Sequence, residues 1–182
     1  MALRLARAAV RVQSGMRTLG PSHAAAAHVQ SAPHPNFASP FAHTVRVGEH
    51  SLLSDRPLSL GAANSGPTPY DLLLASLGAC TDMTLKMYAD TKHIPLQSVE
   101  IDLSHSKVYA DDCAGCPVVA SDVAGSDITK LKIDRIERLI TLHGPELTDD
   151  QRARLVEVAS SCPVHKMLSK TVQVVTKLSP AY

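Results

Sequence analysis

In the stretch Gly66-Pro67-Thr68-Pro69-Tyr70-Asp71-Leu72-Leu73-Leu74-Ala75-Ser76-Leu77-Gly78-Ala79-Cys80-Thr81, a helix start is followed at once by a helix too apolar for a surface. Thr68 is placed to cap, Pro69 fits the first helical position where a missing N–H costs nothing, and Asp71 meets the positive end of the helix dipole. Leu72, Leu73, Leu74, Ala75, Leu77, Ala79, Cys80, Met83 and Met87 then cover most of the circumference out to about Asp90. A helix apolar on nearly every side is expected at the centre of a domain or of a dimer.

Upstream, residues 42–54 alternate loosely around Gly48-Glu49, which predicts a hairpin with arms Thr44–Val47 and His50–Leu53; Leu58–Leu60 is expected to add a third short strand. Downstream, Val99, Ile101 and Leu103 alternate with Glu100, Asp102 and Ser104, the period of a half-buried strand, and a second strand is predicted over Lys132–Leu142. Within it Asp134, Arg135, Glu137 and Arg138 read as a charged run that solvates one face. Between the two strands, Asp111 to Lys130 is polar and rich in small residues, as suits a surface loop carrying Cys113 and Cys116. Thr148-Asp149-Asp150-Gln151 forms a capping box for a helix over 149–160, Cys162-Pro163 restarts a short helix, and Thr171–Leu178 is predicted to close the chain as a strand. Strands and helices are segregated rather than alternating, so the fold class expected is α+β.

At 182 residues the chain suits one domain with a real core. Apolar residues make up 45% of it and charged residues 19%, and no apolar run is long enough to cross a bilayer. With no Trp and only two Phe there are few platforms for nucleic-acid bases, and a net charge of +1 argues against a polyanionic partner. Neither nucleic acid nor membrane is therefore expected as a partner. The amino-terminal segment is a different material: Arg4, Arg7, Arg11, Arg17 and Arg46 precede the first acidic residue, Glu49. Arg4, Arg7 and Arg11 share one face of a helical wheel opposite Leu5, Ala9, Val12 and Met16, the pattern of a mitochondrial transit peptide. Pro21, the run Ala24–Ala27, Pro33, Pro35 and Pro40 follow, a composition that suits a linker. Residues 1–40 are thus expected to be transit peptide and disordered linker, 41–182 the folded domain, and the mitochondrial matrix the destination; the alternative is a cytoplasmic protein with chance arginines in a disordered tail.

The four cysteines, Cys80, Cys113, Cys116 and Cys162, lie outside this leader, in a chain bound for a reducing compartment, where catalytic, redox-active or metal-bound thiols outnumber structural disulfides. Cys162 has the best local case for a thiolate, because it opens a helix and has His165 and Lys166 within one turn. Cys80 sits in an apolar helix, where burial raises a thiol pKa unless a cation arrives from elsewhere in the fold. A different constellation is Cys113-Ala114-Gly115-Cys116, which together with Cys162 and His165 has zinc-ligand spacing. The same CxxC also suits an auxiliary dithiol or two loop cysteines with no role. His43, His50, His93, His105 and His143 stand at no ligand spacing.

The first cysteine stretch, with Met83-Thr84-Leu85 behind it, and Ser161-Cys162-Pro163-Val164-His165 after an acidic-capped helix resemble, in order, the two cysteine motifs of the osmotically inducible protein C and organic hydroperoxide resistance family. The resemblance spans residues 42–178. It implies a long central helix packed against antiparallel sheet, an intertwined homodimer with its sites at the subunit interface, and thiol-dependent reduction of organic hydroperoxides or hydrogen peroxide with no bound cofactor. It also implies that Cys80 is the peroxidatic thiolate and Cys162 the resolving cysteine, reduced in turn by a dithiol that in relatives is often a lipoyl group on a partner protein. That order reverses the ranking drawn from local sequence. The family's glutamate ten residues before the first cysteine is here Tyr70, beside Asp71, and its activating arginine from the amino-terminal strands matches Arg46 or Arg56, with Arg46 preferred inside a predicted strand. A zinc site on Cys113, Cys116, Cys162 and His165 would consume the resolving cysteine, so the rival expectation is a non-catalytic zinc-binding or redox-sensing module.

Overall fold

The computed structural model of the chain describes residues 28–30, 39–110, 112, 131–169 and 176. The predicted transit helix, the Cys113–Cys116 segment and, Thr176 apart, the predicted strand Thr171–Leu178 lie outside the described residues. Strand β1, His28–Gln30, pairs antiparallel with β2, His43–Val47, which pairs antiparallel with β3, His50–Ser54. The β2–β3 hairpin turns at Gly48, whose φ of 59° is the left-handed conformation glycine adopts without cost. Two expectations change here. His28–Gln30 falls in the segment whose composition reads as linker, and its place comes from ladder bonds to Thr44, Val45 and Arg46, which composition cannot reveal. Leu58–Leu60 is a 3₁₀ turn rather than a third strand. Its Leu-Ser-Leu spacing mimics a strand, but Pro57 before it and left-handed Gly61 after it, whose N–H reaches the Leu58 carbonyl, close the turn locally.

Helix α1 runs from Pro69 to Lys92. Its start is a capping box: the Thr68 hydroxyl accepts the Asp71 N–H while the Asp71 carboxylate accepts the Thr68 N–H at 2.8 Å. It ends on left-handed His93, whose N–H returns to Ala89 and Asp90. Strands β4, Ser98–Tyr109, and β5, Lys132–His143, form a long antiparallel pair with Ile101 opposite Ile140 and Leu103 opposite Arg138. Helix α2, Asp149–Ala159, starts on a second capping box between Thr148 and Gln151, and α3, Pro163–Leu168, follows after a short turn. The architecture is therefore mixed helix and antiparallel sheet, as expected.

Leu77, Thr81, Leu85 and Ala89, one residue per turn, form the buried stripe of α1. Its carboxyl-terminal half meets Leu142, Leu147, Leu155, Val158 and Ala159 in the core, so α1, α2 and the β4–β5 pair close around one apolar centre. Gly78 lets the helix approach the sheet: a Cβ there would stand 3.1 Å from Leu103 Cδ1. Arg152 locks α2 to the end of β5 by donating to the Leu142 carbonyl at 2.7 Å and the Gly144 carbonyl at 3.1 Å. Among the described residues no helix is long and apolar enough to cross a membrane.

Candidate functional site

Cys80 and Cys162 arrive at one place from opposite ends of the fold. Cys80 lies on α1 beside the buried stripe, one residue before Thr81. Cys162 follows the α2 carboxyl terminus and is the N-cap of α3, with Pro163 at the first helical position. Backbone N–H groups of an opening helix have no partner within it, and here those of Val164 and His165 reach the Cys162 sulfur. The two thiols are free and in hydrogen-bond contact with each other. Cys162 is 0% exposed, while Cys80 keeps part of its surface open.

These contacts divide the pair electrostatically. Burial pushes the Cys80 thiol up and the neighbouring Cys162 sulfur pushes it further, against weaker pulls from the Val164 N–H and the Thr84 hydroxyl. Burial also pushes Cys162 up, but hydrogen bonds from the Cys80 thiol, the His165 N–H, the Thr81 hydroxyl and the Val164 N–H outweigh it, and its net shift is downward. Within one chain Cys162 is therefore the more acidic of the two sulfurs, with Cys80 S–H the donor to it. This agrees with the ranking drawn from local sequence, and the pair titrates as a unit.

Sequence reasoning missed Arg138. Read as part of a solvated run, it is instead half-buried on the inward face of β5 with Ile136, Ile140 and Leu142. Its Nη1 donates to Thr81 Oγ1 at 2.9 Å and to the Ala159 carbonyl at 3.3 Å. The signal was present: Ile136, Arg138, Ile140 and Leu142 share the period-two face that points at the core. The same guanidinium faces His165, whose imidazole is held below its ordinary pKa by burial first and by the Arg138 charge second. A cavity of about 250 Å³ opens here, walled by Leu77, Ile136 and Leu168 with Arg138 and His165 at its polar side.

The other residues singled out from sequence fall as follows. Tyr70, at the position of the family glutamate, is 53% exposed and stacks on His105 with ring centroids 4.6 Å apart. His105 Nε2 in turn lies 2.8 Å from Asp134, which also holds Lys107. Arg46 is exposed on β2, in the other sheet. Arg56 is engaged locally, its guanidinium 4.8 Å above the Phe41 ring. Cys113 and Cys116 lie outside the described residues; among those described, no three His, Cys, Asp or Glu side chains converge as metal ligands.

Two free thiols in contact, one at a helix start and one on a core helix, are carried on an α+β scaffold. The chain belongs to the OsmC-like protein family, whose model matches residues 62–177. Its fold is similar to that of an OsmC-like protein from Mycoplasma pneumoniae, at 19% identity and a TM-score of 0.55, over 79% of this chain and 86% of that one. It is also similar to an organic hydroperoxide resistance protein from Elizabethkingia anophelis, at 17% identity and a TM-score of 0.54, over 83% and 89% of the two chains. A third likeness is to the organic hydroperoxide resistance protein OsmC of Legionella pneumophila, at 17% identity and a TM-score of 0.51, over 79% and 88%. No curated protein matches the chain in sequence.

Proposed function

We propose that this protein is a thiol-dependent peroxidase that reduces organic hydroperoxides or hydrogen peroxide through Cys80 and Cys162. The observation that carries the reading is the contact between these two free thiols, brought together from α1 and the start of α3. Family membership supports it, as do structural neighbours that are themselves organic hydroperoxide resistance proteins.

The order of steps follows from access and acidity together. Cys80 is the sulfur with open surface, so it meets the peroxide; Cys162, buried and the more acidic of the pair, serves in its ionised form as the base beside it. As the Cys80 sulfur attacks one peroxide oxygen its proton passes to Cys162, the O–O bond breaks, and the leaving alkoxide takes a proton to depart as an alcohol. Cys80 is left as a sulfenic acid. Cys162 then gives that proton to the departing hydroxide as its sulfur attacks the Cys80 sulfur, so the S–O bond breaks, water leaves and a disulfide remains. Two thiols and one hydroperoxide thus give one disulfide, one alcohol and one water. An external dithiol, of which a lipoyl group on a partner protein is one form, restores the thiols by exchange. A homodimer belongs to the same reading, since the family resemblance implies sites at the subunit interface, with Arg46, exposed on β2, the thiolate stabiliser that a second copy would bring.

The test is mass spectrometry of the reduced protein after one equivalent of cumene hydroperoxide. A Cys80–Cys162 disulfide is expected, formed by the wild type and not by C80S, together with peroxide consumption when dihydrolipoamide is supplied. Consumption no greater than that of C80S would overturn the proposal.

A further inference from the structure

A disulfide between Cys80 and Cys162 closes only if two separate pieces of backbone keep a fixed spacing, and the structure shows what sets it. The Cys162 N–H reaches back to the Ala159 carbonyl at 3.4 Å, longer than the usual hydrogen bond. Ala159 closes α2, so its carbonyl has no partner further along that helix, and the last turn of α2 carries no basic residue. Arg138 fills the place from β5, its Nη1 donating to the Ala159 carbonyl at 3.3 Å. One carbonyl is thus shared by the guanidinium and by the backbone of Cys162.

The same nitrogen donates to Thr81 Oγ1 at 2.9 Å. Thr81, the residue after Cys80, is buried on α1 and gives its own hydroxyl proton to the Leu77 carbonyl at 2.8 Å. Arg138 therefore ties the helix beside one cysteine to the helix end beside the other. It touches neither sulfur; what it fixes is the spacing of the two backbones. Its footing is firm, because β5 pairs along its whole length with β4 and Arg138 stands there opposite Leu103, on a sheet to which neither cysteine belongs. We infer that Arg138 is a positioning residue for the cysteine pair, a brace between α1 and the α2–α3 turn that lets the two sulfurs close into a disulfide. The inference rests on the proposed function, whose closing step it serves.

Closure is an intramolecular reaction, and its effective molarity depends on how well the reacting atoms are held; a misplacement of about 1 Å can cost about a hundredfold. Reaction of Cys80 with a thiol or disulfide from solution needs no such spacing. Loss of the brace is therefore expected to separate the two steps, which a merely destabilising change in the core does not do.

The experiment is redox equilibration of the reduced full chain with glutathione and glutathione disulfide, the Cys80 and Cys162 peptides being read by mass spectrometry after acid quenching. Cys80 exchanges with glutathione disulfide to give a Cys80–glutathione mixed disulfide and one glutathione. Cys162 then attacks the Cys80 sulfur, forming the Cys80–Cys162 bond and releasing the second glutathione. The first constant is read in C162S, and the closure constant follows from the wild type. R138M is expected to lower the closure constant about tenfold, so that the mixed disulfide accumulates, and to leave the first constant unchanged when the two are compared in C162S. R138K, whose ammonium can serve two acceptors from a shorter stem, recovers part of the closure. T81V cuts the α1 anchor and lowers closure as well, and adding it to R138M lowers it little further, because both break one path. A closure constant unchanged in R138M with native circular dichroism would overturn the inference, as would an equal loss in both steps. Should R138M fail to fold, an unchanged closure constant in T81V overturns it equally. A wild type that closes the disulfide but consumes no peroxide sinks the proposed function and leaves the R138M loss of closure to stand by itself.

Discussion

Asp55 shows how one buried carboxylate can hold a junction. It is 1% exposed, yet accepts the Ser39 hydroxyl at 2.8 Å, the Arg56 N–H at 2.8 Å and the Ser65 N–H at 3.0 Å. Burial pushes its pKa up, and these hydrogen bonds, Ser65 foremost, overcome that and bring it from the ordinary 3.8 to about 2. Because the folded value lies below the unfolded one, the native state binds fewer protons in acid. The stabilisation is complete above pH 3.8 and is lost as pH falls from there through about 2. Asp55→Asn is expected to lower the urea midpoint at neutral pH and to flatten its fall over that acid window; an acid limb as steep as that of the wild type would count against the assignment. None of this was legible in advance, since Ser39, Ser65 and Asp55 meet only once β3 and the loop before α1 run side by side. Arg138 differs, for its register among Ile136, Ile140 and Leu142 was on the page, but four charges in five residues drew the reading toward solvent.

At the scale of elements, local chemistry settled most boundaries. The helix predicted from Pro69 to about Asp90 runs to Lys92, the Thr148–Gln151 capping box forms as read, and the Thr68 cap forms with Asp71 closing it into a second box, because a cap depends on residues three apart and on little else. The Leu58–Leu60 turn and the place of β1 escaped because partners, not propensity, decide short segments. Cutting the α1 cap by Thr68→Ala is expected to cost about 1 kcal/mol, read as a lower melting temperature with the thiols still in contact. Two measurements separate the cap from the junction behind it. Gly66 lies against β3 so closely that a Cβ would come 2.5 Å from the Leu53 carbonyl oxygen, a backbone atom with no room to yield. Gly66→Ala should therefore cost more than the lost cap, in the range of about 1–3 kcal/mol typical of overpacking. Equal melting temperatures for the two variants would show that the β3–α1 junction is slacker than its geometry states.

At the scale of the whole molecule, α1 is a core helix on one side only. The sequence made it apolar nearly all round, and the fold of one chain buries Leu77, Thr81, Leu85 and Ala89 while leaving Met83 63% and Met87 71% exposed. Among the described residues β4 and β5 also pair only with each other, with Leu139 outward, and long unpaired strands are seldom left bare. Cys80, Met83 and Met87, spaced three and four residues apart, share one helical stripe that begins at the proposed peroxidatic thiol. A second copy laid along that stripe would cover the methionines and wall the peroxide's approach to Cys80 in the same act, which couples assembly to chemistry as the proposed dimer requires. Met83→Glu with Met87→Glu places two carboxylates on this stripe without touching the capping box or the Arg138 bonds. The variant is expected to sediment as a monomer where the wild type sediments as a dimer, to keep a native circular dichroism spectrum, and to lose about tenfold or more in peroxidase rate through misplacement of groups that the partner would hold. A wild type that is monomeric at micromolar concentration and fully active would refute the coupling, and so would a monomeric variant with undiminished turnover.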